Sequence, residues 1–317
     1  MSSALGIILS GGLRQPLLRR QMGVPIGALP VTEHSTLLGT WVRRMLEFST
    51  IESILVVTSD IADNEMLSQA ISSESLDKYV EVIVEPAGHR GPAGVLRDVG
   101  LDLNTDKIVV GELSSVPPPS VDEIVTGLGS ESVGMTIGVS ENQRPIGLYG
   151  FTRESLEIIP ELGFFDVKEQ LIPSLIEKGS VVCPIVMMPK QLRVGELHEW
   201  LQAIRFLEAG SHSEATIPSS ARIEGASLIQ QGAIIHETVS ILDSIVMSGA
   251  EIESGAVIAR SVIGPGVRVR KGFRIIDGIL AGQTSQKLDD HGIAPSAQGS
   301  GRLGNRHVVA KVRSGQS

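Results

Sequence analysis

The chain has 317 residues, a formal net charge of -9 and a single cysteine, Cys183. The length is enough for about two domains. The negative charge argues against nucleic acid or an anionic membrane as the main partner, and a lone cysteine excludes an intramolecular disulfide and a cysteine-based zinc site.

The apolar composition limits how the chain builds its core and where it works. Hydrophobic residues make up 42% of the chain but aromatic residues only 3%, so Val, Ile and Leu must supply the core. That bias favours parallel sheets and β-solenoids. Cys183, in an apolar run, is interpreted as a buried hydrophobic residue. No run approaches the roughly 20 apolar residues of a membrane span, and no basic signal-peptide region begins the chain. We therefore predict a cytoplasmic protein.

Apolar runs and amphipathic segments alternate over the first two hundred residues. The predicted strands are 5–9, 53–59, 79–85, 107–111, 135–139, 146–151 and 181–188. Predicted helices cover 35–48, 62–71 and 93–103. This alternation predicts an α/β domain with a Rossmann-like, mostly parallel sheet over residues 1–210. Ligands of such sheets lie beyond the carboxyl ends of the strands.

The segment after the first strand is rich in glycine and arginine. Gly11 and Gly12 would let the backbone approach a phosphate closely, and Arg14, Arg19 and Arg20 could add positive charge. The alternative is a tight strand-to-helix turn with solvated arginines. Two glycines alone do not decide between these interpretations.

Residues 217–280 have a six-residue apolar period. It is carried first by Ile217, Ile223, Ile229, Ile235, Ile241 and Met247, and it resumes one position out of register at Ile252 and Ile258. This period predicts a left-handed β-helix of hexapeptide repeats over 211–280, with a mobile tail over 281–317. A β-helix leaves an apolar end or face, so we expect a homo-oligomer formed through it. We interpret His236 as an exposed residue of the repeat rather than a general base.

Four segments in order resemble motifs of the sugar-nucleotide pyrophosphorylases, the nucleotidyltransferases that make NDP-sugars. They are the opening segment with Gly11, Gly12, Leu17, Pro25, Pro30 and Val31, then GPAGVLRD at 91–98, IVVGE at 108–112 and GLYGF at 147–151. The resemblance covers residues 5–280 and includes the order of the two domains. The domain order resembles that of mannose-1-phosphate guanylyltransferase-like and glucose-1-phosphate adenylyltransferase-like proteins. The resemblance implies the nucleotide-diphospho-sugar transferase fold, with helices over 164–179 and in the segment before residue 207.

The resemblance also implies roles for individual residues. Glu112 falls on the position of a Mg²⁺-binding Asp, so it is a catalytic candidate and would be the ligand of Mg²⁺ if the protein is active. Arg14 occupies the position of the family's third glycine and is a catalytic candidate because it could replace a lost cation. The residues on the sugar side are Gly147, Asp166 and Lys168. The residues that would contact the nucleotide are Leu9, Gly11, Gly12, Gly91, Ala93 and Gly94.

Several charged positions of the family are replaced in this chain. Pro16 occupies the position of the family's signature Arg, and Ile26 that of the loop Lys. Arg193 occupies the position of the second Mg²⁺-binding Asp. Such chemistry depends on neutralising phosphate charge. We therefore predict a protein that binds a nucleotide or NDP-sugar without efficient turnover. The alternatives are an active nucleotidyltransferase with a rearranged site and an oligomeric assembly or regulatory subunit.

Glu112 and Arg193 lead to one structural hypothesis. In the family the two carboxylates at these positions meet at one Mg²⁺ ion, so the two side chains here should lie close together. Opposite charges at that distance should pair, and the guanidinium would then fill the space of the cation. On this hypothesis Mg²⁺ is a cofactor only if the protein is active, and otherwise none is needed.

Overall fold

The computed structural model describes residues 4–11, 16–48, 50–85, 90–101, 105–207 and 217–281. The chain divides into two compact units. One, the α/β unit, comprises Met1–Pro16, Val24–Pro30 and His34–Val194, and the other, the coil unit, comprises Leu17–Gly23, Val31–Glu33 and Gly195–Ser317. The predicted domain boundary at 210 and the predicted tail after Ala281 lie outside the described residues and stay predictions.

Over the described ranges, the α/β unit contains one seven-stranded sheet. Its strands are β1 (Ala4–Leu9), β2 (Ile51–Thr58), β3 (Val80–Val84), β4 (Lys107–Glu112), β5 (Val133–Ser140), β6 (Pro145–Thr152) and β7 (Val181–Met188). They lie in the order β3-β2-β1-β4-β6-β5-β7. Only β6 runs antiparallel to its neighbours in this sheet. The predicted mostly parallel, Rossmann-like α/β architecture is confirmed.

The order of the strands reverses between β1 and β4. The chain builds β1, β2 and β3 outward in one direction and then returns to place β4 on the other side of β1. The connections on the two sides of such a point diverge, so a crevice opens at the carboxyl ends of the two central strands. Leu9 and Glu112, which end β1 and β4, are register partners and therefore mark this crevice.

The predicted helices are present with shifted ends, and short helices that were not predicted, such as Asp122–Gly127, are present as well. The helices are α1 (Leu17–Met22), α2 (Leu37–Leu46), α3 (Ile61–Ser73), α4 (Gly91–Gly100), α5 (Asp122–Gly127), α6 (Arg153–Glu157), α7 (Ile172–Glu177) and α8 (Leu197–Leu207). A 3₁₀ turn forms at Ile26–Ala28 and a π-helical turn at Val167–Leu171. The arginine-rich segment after the first strand forms α1 over Leu17–Met22. The predicted helix from 164 begins only at Val167, because Asp166 caps it by accepting hydrogen bonds from the N–H groups of Lys168 and Glu169.

Helix α2 shows how local sequence and burial cooperate in the α/β unit. Leu37, Leu38, Trp41, Val42 and Met45 recur at helical spacing and are all fully buried. The hydroxyl of Thr36 accepts a hydrogen bond from the Gly39 N–H and so caps the helix. The Glu74 carboxylate accepts further bonds from the N–H and hydroxyl of Thr36. A Cβ on Gly39 would overlap with Glu74 Oε2, so a larger residue here would displace the Glu74 carboxylate from the cap.

The core on one face of the sheet is aliphatic, as the composition predicts. Side chains of the central strands pack there against α4, α6 and the turn before α7; they include Ile7, Val110, Met135, Tyr149, Phe151, Leu96, Leu156 and Leu171. Cys183 is half-buried rather than buried, because β7 is an edge strand with one side open. Pro184, which has no N–H to donate, is typical of such an edge.

The coil unit winds short strands around a triangular core. Over the described residues its strands are β8 (Arg222–Glu224), β9 (Leu228–Ile229), β10 (Ile234–Ile235), β11 (Ser240–Leu242), β12 (Ile245–Val246), β13 (Glu251–Ile252), β14 (Val257–Ala259), β15 (Val262–Ile263), β16 (Arg268–Val269), β17 (Arg274–Ile276) and β18 (Ile279–Leu280). Successive strands pass in turn through three parallel sheets. We call this segment the coil; its left hand and its assignment as hexapeptide repeats stay predictions.

Stacking between successive turns holds the coil together. Ile241 pairs with Ile258, and Ile258 pairs with Ile275, so each apolar residue lies on the one a turn later. Buried serines stack in the same way. The hydroxyl of Ser244 accepts a hydrogen bond from the Ser261 N–H at 3.1 Å, and the Ser261 hydroxyl accepts one from the Gly278 N–H at 3.1 Å. These bonds satisfy backbone donors that the coil would otherwise bury unpaired.

One corner of the coil carries alternating charges. Asp243, Arg260 and Asp277 all have left-handed backbone conformations, with φ of 45°, 46° and 55°. Arg260 Nε lies 2.6 Å from Asp277 Oδ1, and Arg205 of α8 donates to Asp243 Oδ1 at 2.7 Å. The ion pair of Arg205 links α8 to the first turns of the coil.

None of the helices within the described ranges is long and apolar enough to cross a membrane.

Candidate functional site

Glu112 lies at the crevice between β1 and β4. It ends β4, and the next residue, Leu113, donates its N–H to the carbonyl of Leu9 at 2.9 Å. The parallel register of β1 and β4 therefore continues to the last residue of both strands. It places the Glu112 carboxylate beside the start of the glycine loop, of which Gly11 is described.

The Glu112 carboxylate has two partners of different kinds. Tyr149 donates its hydroxyl hydrogen to Glu112 Oε1 at 2.8 Å. Arg193 Nη2 lies 3.5 Å from Glu112 Oε2, which makes an ion pair longer than a charge-assisted hydrogen bond. The Arg193 side chain is 47% exposed and that of Glu112 is 27% exposed. A pair with this exposure and spacing contributes about 0–1 kcal/mol to stability.

Tyr149 remains a hydrogen-bond donor because of its surroundings. Burial, reinforced by the negative charge and the hydrogen bond of Glu112, raises the pKa of the Tyr149 phenol well above its ordinary value. The positive charge of Arg193 opposes this shift, and Asp166 adds to it. The phenol therefore stays protonated at physiological pH and holds Oε1 of Glu112.

Gly147 makes room for this arrangement. Tyr149 and Gly147 are two residues apart on β6, and β6 pairs with β4. Gly147 has a φ of 81°, and a Cβ there would lie 2.5 Å from Ser115 Oγ and 3.1 Å from the Cβ of Glu112. A larger residue would therefore push Ser115 or Glu112 aside. This is a packing role, whereas the resemblance implies a contact with sugar.

The turn after β4 is fixed by Trp41. Its indole N–H donates to the carbonyl of Ser115 at 2.7 Å, and both residues are fully buried. The Ser115 hydroxyl has no hydrogen-bond partner among the described residues. The rigid position of Ser115 matters because its backbone pairs with that of Arg193.

A short antiparallel contact carries Arg193 to the crevice. Ser115 and Arg193 form an isolated bridge, Val194 donates its N–H to the Ser114 carbonyl at 2.8 Å, and Val116 donates to the Leu192 carbonyl at 3.0 Å. The backbone of Arg193 is thus held on both sides, while half of its side chain remains exposed. The two positions paired from the resemblance lie together, as an arginine and a carboxylate.

The amino end of α4 has a different arrangement. The N–H groups of Ala93 and Gly94 donate to the carbonyl of Phe165 at 3.1 and 3.4 Å. Gly91 has a φ of 71°, and a Cβ there would lie 2.7 Å from the same carbonyl. The resemblance places Ala93 and Gly94 at the nucleotide, and in the structure the N–H groups of both residues are bonded to protein.

Arg90 fastens the segment before Phe165 to α4. Its guanidinium donates to both carboxylate oxygens of Asp98, at 2.7 and 3.0 Å, and to the carbonyls of Pro160 and Gly163. The Arg90 side chain is buried, so this paired charge is a structural one. The bonds from Arg90 to the carbonyls of Pro160 and Gly163 hold the segment before Phe165 against the start of α4.

The remaining predicted residues are spread around these two clusters. Leu9 lies at the crevice, and Asp166 and Lys168 lie in the capped turn that follows Phe165. Gly12 and Arg14 lie outside the described residues. His236 is 42% exposed on the coil, where its Nε2 lies 3.1 Å from Glu251 Oε1.

The site does not fit the Mg²⁺ ion that the resemblance implies. Mg²⁺ requires oxygen ligands in near-octahedral geometry. Of the Glu112 oxygens, one accepts from Tyr149 and the other faces a guanidinium. Nucleotide sites hold Mg²⁺ through one or two carboxylates together with substrate phosphates, and here the Arg193 guanidinium faces the Glu112 carboxylate.

Sequence reasoning missed the partners that hold the site in place. Tyr149 matches the family motif, but its bond to Glu112 was not anticipated. The alternation of Gly147 and Tyr149 on one face of β6 is a sequence signal for it. No comparable signal identifies Trp41, Arg90 or Phe165, because their partners are far away in sequence.

Comparison with known proteins bears on the coil. A family model described as the GMPPB C-terminal domain, related to mannose-1-phosphate guanylyltransferase beta, matches residues 208–293. The match begins directly after α8 and includes the whole coil. A search among curated proteins finds no similar sequence. The matched domain supports a relationship between this chain and the sugar-nucleotide pyrophosphorylases.

Proposed function

We propose that the α/β unit binds a nucleotide or an NDP-sugar at the carboxyl ends of β1 and β4, without efficient turnover. The observation that carries this proposal is the pairing of Glu112 with Arg193 at the point where strand order reverses. The position is the one at which open α/β sheets bind ligands. A carboxylate already paired with an arginine is poorly suited to hold the metal that phosphoryl chemistry of this kind uses.

Turnover and binding can be measured separately on the full chain. Pyrophosphate release should stay at the uncatalysed rate across the common NTPs and sugar 1-phosphates, with or without Mg²⁺. A bound nucleotide at a hundred times its Kd should stabilise the fold by about 2.7 kcal/mol, visible as a thermal shift. Catalysed release would contradict the absence of turnover. The lack of any shift with every nucleotide and NDP-sugar would contradict binding.

An active transferase with a rearranged site is the first alternative. It is favoured by the retention of an oxygen donor, Glu112, at the end of β4 and by the exposed cation of Arg193 beside it. The same release assay distinguishes it, because an active enzyme must form pyrophosphate.

An assembly or regulatory subunit is the second alternative, favoured by the family match, which is confined to residues 208–293. For this region we propose a left-handed β-helix of hexapeptide repeats through which copies of the chain associate. The stacked parallel strands support it. Light scattering should show a mass above that of one chain. A concentration-independent monomer would contradict association, and an experimental structure with a right-handed coil would contradict the hand.

A further inference from the structure

We propose that the Arg193 guanidinium, rather than a divalent cation, holds the phosphate groups of a nucleoside diphosphate at the crevice between β1 and β4. The inference rests on the proposed function, because it names the ligand class of the same site. It goes further by assigning the contact to one residue and by removing the need for metal.

The charges around Glu112 carry the first step. Its carboxylate is negative, Tyr149 donates to one oxygen and Arg193 faces the other. A dication on the same oxygens would lie beside the guanidinium and be repelled by it. The site therefore already contains its cation, as a side chain.

The geometry of Arg193 carries the second step. Its distance of 3.5 Å to Glu112 is too long for a tight charge-assisted bond, so Glu112 does not occupy the guanidinium fully. The Arg193 side chain is 47% exposed, so it is only partly covered by its protein neighbours. A planar guanidinium matches the oxygens of a phosphate group in two parallel hydrogen bonds.

The anchoring of Arg193 carries the third step. Its backbone is bridged to Ser115, whose carbonyl is held by Trp41. The backbone of Arg193 is therefore fixed, while its guanidinium can contact either Glu112 or a ligand. Glu112 therefore competes with a bound phosphate for the Arg193 guanidinium. Tyr149 is a positioning residue: its hydrogen bond to Oε1 of Glu112 weakens the pull of that carboxylate on Arg193.

Titration calorimetry on the full chain tests the inference. ADP, GDP, UDP, CDP and pyrophosphate are each titrated in excess EDTA and then in Mg²⁺. We expect at least one nucleoside diphosphate to bind in EDTA, with no gain in affinity from Mg²⁺. Arg193→Ala should weaken that binding by roughly 10- to 100-fold, the usual value of a hydrogen bond to a charged group.

Glu112→Gln gives a change of opposite sign. It keeps the shape of the side chain but removes the charge that competes for Arg193, so nucleotide affinity should rise by up to about fivefold. If Glu112 were instead a metal ligand, the same variant would weaken binding in Mg²⁺. Tyr149→Phe should lower affinity in EDTA, because Glu112 is then free to pair more strongly with Arg193.

Lys178→Asp is the matched control. It reverses one charge in the α/β unit at the exposed residue that follows α7, a helix that packs against the edge strand β7 rather than against the central strands β1 and β4. Its affinity should equal that of the unchanged protein. Circular dichroism checks that every variant is folded, and Glu112→Gln keeps the test decisive if Arg193→Ala is not.

The possible failures are distinguishable. Nucleotide binding that requires Mg²⁺, or that survives Arg193→Ala unchanged, would overturn the inference and leave the proposed function intact. Binding of pyrophosphate without any nucleotide would overturn the ligand class assigned here. Absence of binding by every nucleoside diphosphate in both EDTA and Mg²⁺ would overturn the inference, while the proposed function would be overturned only if the thermal-shift survey of nucleotides and NDP-sugars were negative as well.

Discussion

The coil and the sheet of the α/β unit are both built mainly from parallel strands, but their strands find neighbours in different ways. In the coil, Ile241 pairs with Ile258 and Ile258 with Ile275, so each neighbour lies one turn along the chain. In the sheet, β1 lies between β2 and β4, with other elements intervening. Each turn of the coil therefore repeats similar contacts. In the sheet, each pair of neighbouring strands brings together a different set of residues.

The difference extends to how each unit uses left-handed backbone. In the coil, Asp243, Arg260 and Asp277 adopt positive φ at an open corner and keep their side chains. In the α/β unit, Gly147 adopts positive φ against Ser115 and Glu112, and no side chain fits. The corner positions of the coil therefore accept residues other than glycine. Position 147, packed against Ser115 and Glu112, depends on glycine.

The largest loss of stability is expected on changing Trp41 of α2, which holds the turn after β4. Trp41→Ala removes a fully buried ring and leaves the Ser115 carbonyl without its donor. We expect a loss of about 3–5 kcal/mol in the free energy of unfolding, measured by urea denaturation. Ile61→Ala, on a side chain that is 70% exposed, is the control and should stay within about 0.5 kcal/mol. A small effect at Trp41 would show that Ser115 is held by other contacts.

Gly147→Ala should be the next largest change. The new Cβ would be forced into a left-handed conformation and would contact Ser115 Oγ, so we expect a loss of about 2–4 kcal/mol. Arg260→Gly in the coil is the counterpart and should cost less than about 1 kcal/mol, because the corner is open and its ion pair is exposed. Equal losses in denaturation would contradict the contrast between the two units.

The buried serines of the coil should give a moderate effect. Ser244→Ala removes the hydroxyl that accepts from the Ser261 N–H and donates to the Leu242 carbonyl. Both groups would be left without this partner, at a cost of about 1–3 kcal/mol. Ser227→Ala, half-buried in the first turn, should cost less. Thermal denaturation ranks the two variants, and the reverse order would contradict the stacking argument.

The smallest expected effect is the pH dependence of the charged corner. The hydrogen bond from Arg260 lowers the pKa of Asp277. For Asp243, burial acts in the opposite direction, but hydrogen bonds from Arg205 and the Ala226 N–H outweigh it and lower the pKa. Since folding depresses both values, the stabilisation is present above the unfolded pKa of about 3.9 and is lost as pH falls through the folded pKa.

Thermal denaturation between pH 7 and pH 3 measures this loss. The melting temperature of the coil should fall below about pH 4, and Asp243→Asn should flatten the curve. Asp122→Asn changes a carboxylate of the α/β unit that has no part in the corner and should leave the slope unchanged. A slope that survives Asp243→Asn would assign the acid sensitivity to other carboxylates.

The elements of the fold could largely be predicted from the sequence, because their signals are local. The six-residue period marked the stacked residues Ile235, Ile241 and Ile258, which are buried in the coil. The helix predicted over 35–48 contains α2, in which Trp41 and Met45 recur at helical spacing and are buried. Ends of elements were less accurate, as at Asp166, because a cap depends on where its side chain turns.

The sequence by itself determined an α/β unit followed by a repetitive segment. The family resemblance predicted that Glu112 and Arg193 lie close together. Only the tertiary structure decided what surrounds them. Tyr149 holds Glu112 across 37 residues of chain, and Phe165 takes the N–H groups of α4. The physical reason is that periodicity records burial on one face of an element, whereas a hydrogen bond between elements depends on which strands lie side by side.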